Sequence, residues 1–61
     1  MRYTLFVTDS SSSKQLYSSE DLGSLKSDAD LRQKLAKEED DQTDILYIVK
    51  QAYHVVYKAK A

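Results

Sequence analysis

The stretch ILYIVKQAYHVVY, residues 45–57, is the longest apolar run in the chain, and the fold depends on whether it is a strand or a helix. Wound as a helix, it gathers Tyr47, Lys50, Gln51, His54 and Lys58 into one polar stripe. Ile45, Ile48, Val49, Ala52 and Val56 then lie opposite. Thr43 or Asp44 would cap its start, and Lys58 and Lys60 would suit its negative end. Extended, it places β-branched or aromatic residues at 8 of 13 positions, the composition that suits a pleated, half-buried surface. Ile45, Tyr47, Val49, Tyr53, Val55 and Tyr57 then share a face interrupted only by Gln51.

The rest of the chain decides between them. Residues 3–8, YTLFVT, alternate Tyr3, Leu5 and Val7 against Thr4, Phe6 and Thr8 with no charge among them, as a central strand would. Residues 14–18, KQLYS, form a short second strand, with Leu16 and Tyr17 on opposite faces. Residues 9–13, DSSSS, turn between the two, since their carboxylate and hydroxyls can bond nearby backbone groups. A lone hairpin is marginal in water, whereas a third strand completes a small sheet. Residues 45–57 are therefore expected to be extended. Thirteen residues is long for one strand, so a bulge or bend is expected near residues 50–53. A hairpin there is disfavoured because KQAY lacks the usual turn residues.

The segment between is helical. Leu22, Leu25 and Ala29 project to one side of a helix, and Leu31 and Leu35 nearly to the other. A break is expected at residues 23–27, around the single glycine, Gly23. Residues 19–25 then form a capped turn, and Ser27 caps the main helix with Asp28 and Asp30 in its first turn. Leu31, Leu35 and Ala36 supply the buried stripe. Pairs at (i, i+4) join Asp28 to Arg32, Asp30 to Lys34 and Lys34 to Glu38. Glu38, Glu39, Asp40 and Asp41 put negative charge at a negative helix end, where fraying is expected. The expected fold is α+β, in the order β-β-α-β: a three-stranded antiparallel sheet, order 2-1-3, with one main helix on one face. The alternative is a β-hairpin packed on two helices.

Sixty-one residues make one domain, residues 1–61. A chain this size buries only about 60% of its unfolded surface, so its stability is modest. It has no cysteine, hence neither a disulfide nor a thiolate metal site, which fits a reducing cytoplasm. No signal-peptide core or membrane-spanning run is visible. The start at Met1 fits a complete small reading frame. The net charge of −1 is unevenly spread: residues 19–44 are acidic and residues 45–61 hold lysines without acids.

Chemistry-bearing motifs are weak. His54 is the only histidine, but no nucleophile or substrate-positioning group accompanies it in the sequence. The acids at 38–41 and 44 lack EF-hand order and read as a solvated loop rather than a Ca²⁺ or Mg²⁺ site. No cofactor, metal or catalytic residue is expected. The aromatics Phe6, Tyr17, Tyr47, Tyr53 and Tyr57 are more informative. A sheet with one helix covers only one of its faces, so several of them should lie on the open one. Tyrosine is enriched where proteins bind each other.

The expected function is a non-enzymatic protein–protein interaction module. Its contact set is Phe6, Tyr17, Tyr47, Tyr53 and Tyr57, with Glu38, Glu39, Asp40 and Asp41 steering a partner with a basic surface. A small phage or mobile-element inhibitor that occludes a host protein fits that description. Self-association through a strand edge is a related expectation. The competing class is nucleic-acid binding through sheet aromatics and the C-terminal lysines, against which the negative net charge counts. No membrane association is expected.

Overall fold

The computed structural model describes residues 1–39 and 44–60. Its elements are β1 (Tyr3–Thr8), β2 (Ser13–Ser19), α1 (Leu22–Glu38), β3 (Leu46–Gln51) and β4 (His54–Lys58). One antiparallel sheet has the order β2-β1-β3-β4, with α1 packed over β1 and β3 on one face. The α+β class, the single helix, the interior position of β1 and its antiparallel pairing with β3 agree with the sequence. The strand count does not: among the described residues there are four strands, not three. Neither the single long strand nor the two-helix alternative forms.

The extra strand arises because residues 45–57 fold back on themselves. Gln51 pairs with His54 across a two-residue turn, Ala52-Tyr53. Ala52 takes a φ of 55°, a left-handed conformation that glycine usually supplies in such hairpins. The sequence lacks that turn signal, yet the hairpin gives β3 a second partner and satisfies its outer backbone groups.

Nor does the helix break at Gly23. Asp21 is its N-cap and accepts from the Ser24 N–H at 3.2 Å and from the Ser24 hydroxyl at 2.8 Å. These bonds, led by the hydroxyl, hold the Asp21 carboxyl below its ordinary pKa. Gly23 thus falls in the first turn, where the cap offsets its low helix propensity. Ser27 is an interior residue, not a cap.

The buried helix face is Leu25, Ala29, Gln33 and Ala36. Leu31 and Leu35, expected in the core, are 56% and 39% exposed. A polar residue holds their place for a specific reason. Gln33 is only 1% exposed. Its Nε2 donates to the Ile45 carbonyl at 3.0 Å, and its Oε1 accepts from the Tyr47 N–H at 2.8 Å. The Tyr47 carbonyl already accepts from the Ala59 N–H. The Tyr47 N–H therefore points to the β4 side, just beyond the end of β4. There the Gln33 amide takes the place of a neighbouring strand's peptide group. Both its polar ends are satisfied, so its burial is tolerable.

The core is closed by Leu5, Val49, Leu25 and Ala29, with Tyr3, Leu16, Leu22, Tyr47, Tyr57 and Ala59 around it. Tyr17 on β2 donates its hydroxyl to Asp28 at 2.5 Å, and Tyr57 on β4 donates to both oxygens of Asp30 at 2.8 Å. The two edge strands thus tie down α1 from either side. Of the three expected ion pairs, Asp28 meets Arg32 at 3.1 Å. Asp30 instead serves Tyr57 and the Lys60 N–H. At the first turn, the Asp9 carboxylate accepts from the Ser11 and Ser12 N–H groups, each at 2.8 Å, as the DSSSS stretch implies.

Candidate functional site: the open face of the sheet

Register defines the face turned away from α1. Leu5 and Val49 pair with each other inside the core, so their neighbours along each strand point the other way. On β1 these are Thr4, Phe6 and Thr8, opposite Lys50, Ile48 and Leu46 on β3. On the flanks, Gln15 of β2 pairs with Phe6, and on β4 Lys58 pairs with Ile48 and Val55 with Lys50. Each edge strand carries a bulge, with Leu16 and Val56 as the extra residues.

The face has an apolar centre and a basic flank. Phe6 and Leu46 are half-buried, and Ile48 is 7% exposed although no helix covers it. Its neighbours across the strands are Phe6 and Lys58. The Lys50 ammonium lies 4.9 Å from the centre of the Phe6 ring, a cation–π contact. At the β2 side the hydroxyls of Thr4 and Ser18 share a hydrogen bond of 2.9 Å. No Asp or Glu lies in any of the four strands. Every acid among the described residues sits on α1, at its ends, or in a turn. The open face thus carries lysines without a carboxylate, whereas α1 carries both signs, with Lys26, Arg32, Lys34 and Lys37 beside Asp28, Asp30 and Glu38.

The expected contact residues are dispersed. Phe6 alone of the five aromatics lies on the open face. Tyr17, Tyr47 and Tyr57 face the helix, because their partners Leu5, Val7 and Val49 do. Lys26 sits 5.3 Å over the Tyr57 ring. The bond from Tyr57 raises that phenol's pKa. The Asp30 carboxyl is lowered, first by the Lys60 N–H and then by Tyr57. Tyr17 is raised likewise by its bond to Asp28. Tyr53 stands at the hairpin tip, 96% exposed. Glu38 ends the helix and Glu39 is its C-cap, both exposed, on the far layer from the open face. Asp40 and Asp41 lie outside the described residues.

Leu46, Ile48, Lys50, Val55 and Lys58 are the members of this surface that aromatic content alone does not select. Strand alternation and the β1–β3 register select Leu46, Ile48, Lys50 and Lys58, whereas Val55 follows only from the β3–β4 hairpin. His54 is exposed at the base of the β3–β4 turn. Among the described residues there is no enclosed pocket, no grouping of three or more metal-ligating side chains, and no helix long and apolar enough to cross a membrane. No family model, curated protein or solved structure matches the chain.

Proposed function

We propose that the protein is a non-catalytic interaction module that docks another protein on the open face of its sheet and acts by occluding that partner. The observation that carries this is the pairing of an apolar centre (Phe6, Ile48, Leu46, Val55) with Lys50 and Lys58 on a face without a carboxylate. Burying the centre rewards a partner with apolar side chains, while the lysines require carboxylates at its rim. Glu38 and Glu39 lie on the other layer, outside this contact, so the open face favours a partner with an acidic rim rather than the basic surface those glutamates would attract. Occlusion by so small a body suits an inhibitor of the phage or mobile-element kind.

A nucleic acid would use the same lysines. It is the weaker fit, because the one aromatic on the face already lies under an ammonium and offers little for a base to stack on.

Affinity capture from the native host's lysate tests the proposal. The comparison is wild type, Phe6→Ala with Lys50→Glu, and Lys37→Ser on the helix. The double variant is expected to lose a protein that the Lys37 variant retains. Equal recovery by all three would refute the assignment of the face. Recovery of nucleic acid in place of a protein, lost in about 0.5 M salt, would favour the competing class.

A further inference from the structure

We infer that one occupant of the open face is the outer side of α1 from a second copy of this chain, giving a head-to-tail contact. The inference rests on the open face being a docking surface and adds what covers it. The open face needs an apolar partner with carboxylates at one edge, and the outer side of α1 carries two exposed leucines with Glu38 and Glu39 at their C-terminal end and Arg32 and Lys34 on their flanks. Leu31 and Leu35 are one helical turn apart and exposed, because the buried stripe runs through Leu25, Ala29, Gln33 and Ala36. Glu38 and Glu39 follow directly and are exposed.

The spacings agree. Leu31 and Leu35 are separated by roughly 6 Å along the helix, with Glu38 and Glu39 about 5–6 Å further on. On the sheet, Lys58 lies about 5 Å from Ile48 across the strands, and Lys50 about 7 Å along β3. With the two leucines over Phe6, Leu46 and Ile48, the glutamates come to the lysines. Lys34 and Arg32, also exposed on α1, must remain at the rim, Arg32 with its charge met by Asp28.

Other self-contacts are less favourable. Two open faces packed together would bring Lys50 and Lys58 against each other with no carboxylate to pair them. Pairing through β2 or β4 meets a bulge on each edge strand, with Lys14 on one and Lys58 on the other. A head-to-tail contact does not close on itself, so it builds chains or rings rather than a fixed dimer.

Sedimentation velocity in low salt tests this with three proteins. Wild type is expected to gain mass continuously from about 10 µM to about 1 mM and to lose it in about 0.5 M salt. Leu31→Glu with Leu35→Glu blocks the helix side, and Lys50→Glu with Lys58→Glu blocks the sheet side. Each blocked protein, checked for native circular dichroism, should stay at 7.0 kDa. Mixed in equal amounts, they should form a species of twice that mass, since each retains the surface the other lacks. Wild type that stays monomeric throughout would overturn the self-contact and leave the docking face to its own capture experiment. Association that survives either block, or a mixture that stays monomeric while wild type associates, would place the interface elsewhere.

Discussion

Replacing Gln33 with leucine should unfold a large part of this protein's stability margin. The leucine fills similar volume, so no sizeable cavity forms. The Ile45 carbonyl and Tyr47 N–H, bonded at 3.0 and 2.8 Å in the native protein, lose their partner at a site only 1% exposed. An orphaned buried polar group costs about 1–3 kcal/mol. Two of them, offset by about 1 kcal/mol of extra apolar burial, give a loss of about 1–5 kcal/mol. A domain of this size has roughly 3–9 kcal/mol in total. Urea titrations followed by circular dichroism measure the difference. Amide exchange at Tyr47 should accelerate beyond what global destabilisation explains, because that N–H has lost its acceptor.

Gln33→Glu sharpens the test. A charged carboxylate can still accept from Tyr47, but its second oxygen then meets the Ile45 carbonyl, acceptor against acceptor. Burial and that repulsion raise the folded pKa of the new carboxyl above its unfolded value. The folded state then holds the proton over a pH range where the unfolded state has lost it. Stability relative to wild type therefore falls as pH rises from the unfolded pKa, about 4.3, through the folded one. Near pH 4 the protonated acid donates to Ile45 as the amide does, and most of the penalty should vanish. A Gln33→Leu protein within about 0.5 kcal/mol of wild type, or a pH-independent Gln33→Glu penalty, would refute the assignment of strand-capping to this side chain.

Other outcomes follow from the same structure. Ala52→Gly should raise stability by about 0.5 kcal/mol in urea titrations. It removes about 1–2 kcal/mol of left-handed strain, against the added flexibility of glycine in the unfolded chain. Leu25→Ala should cost about 2–5 kcal/mol and Leu35→Lys under about 0.5 kcal/mol, since one is sealed in the core and the other faces outward. The opposite ranking would mean that α1 is rotated about its axis. Stability should fall at both pH extremes. Asp9, Asp21 and Asp30 have lowered carboxyl pKa values, so their contribution is present above the unfolded carboxyl pKa and is lost as pH drops below about 4. Tyr17 and Tyr57 have raised phenol pKa values, so theirs is full below the unfolded phenol pKa and is lost as pH climbs above about 10. Tyr17→Phe with Tyr57→Phe should flatten the alkaline arm in thermal melts across pH and leave the acid arm to Asp9, Asp21 and the Asp30 bond from the Lys60 N–H.

Composition and alternation carry much of this fold. The charge-free, alternating YTLFVT run identifies the interior strand, and its odd-numbered residues do face the helix. The extended conformation on both sides of residues 51–54 is legible in their β-branched and aromatic content. The turn itself is not, because Ala52 adopts a backbone that its side chain disfavours and tertiary pairing compensates. The helix phase is illegible for a related reason. Counting leucines puts Leu31 and Leu35 inside, whereas the long-range bonds of Gln33 decide which side turns inward. Those bonds join residues 12 and 14 positions apart, beyond the reach of helical periodicity. For the candidate site, the aromatics point toward the sheet but not to its open side. The turn and the bulge at Val56 break the alternation after Gln51, so Val55 moves to the open face and Tyr53 to the tip, while Tyr57 stays with Tyr47 and Val49 on the helix face.

The most direct test of the open face as a docking surface uses the absence of cysteine from the chain. A thiol introduced by Gln15→Cys, beside Phe6 on that face, and another by Ser10→Cys, in the β1–β2 turn, are labelled with and without the bound partner, whether a second copy or a captured protein. The position 15 thiol should react at least about tenfold more slowly when the partner is bound, as burial in a stable contact requires, while the position 10 thiol keeps its rate. Unchanged labelling at position 15 with the partner fully bound would show that the contact is made elsewhere.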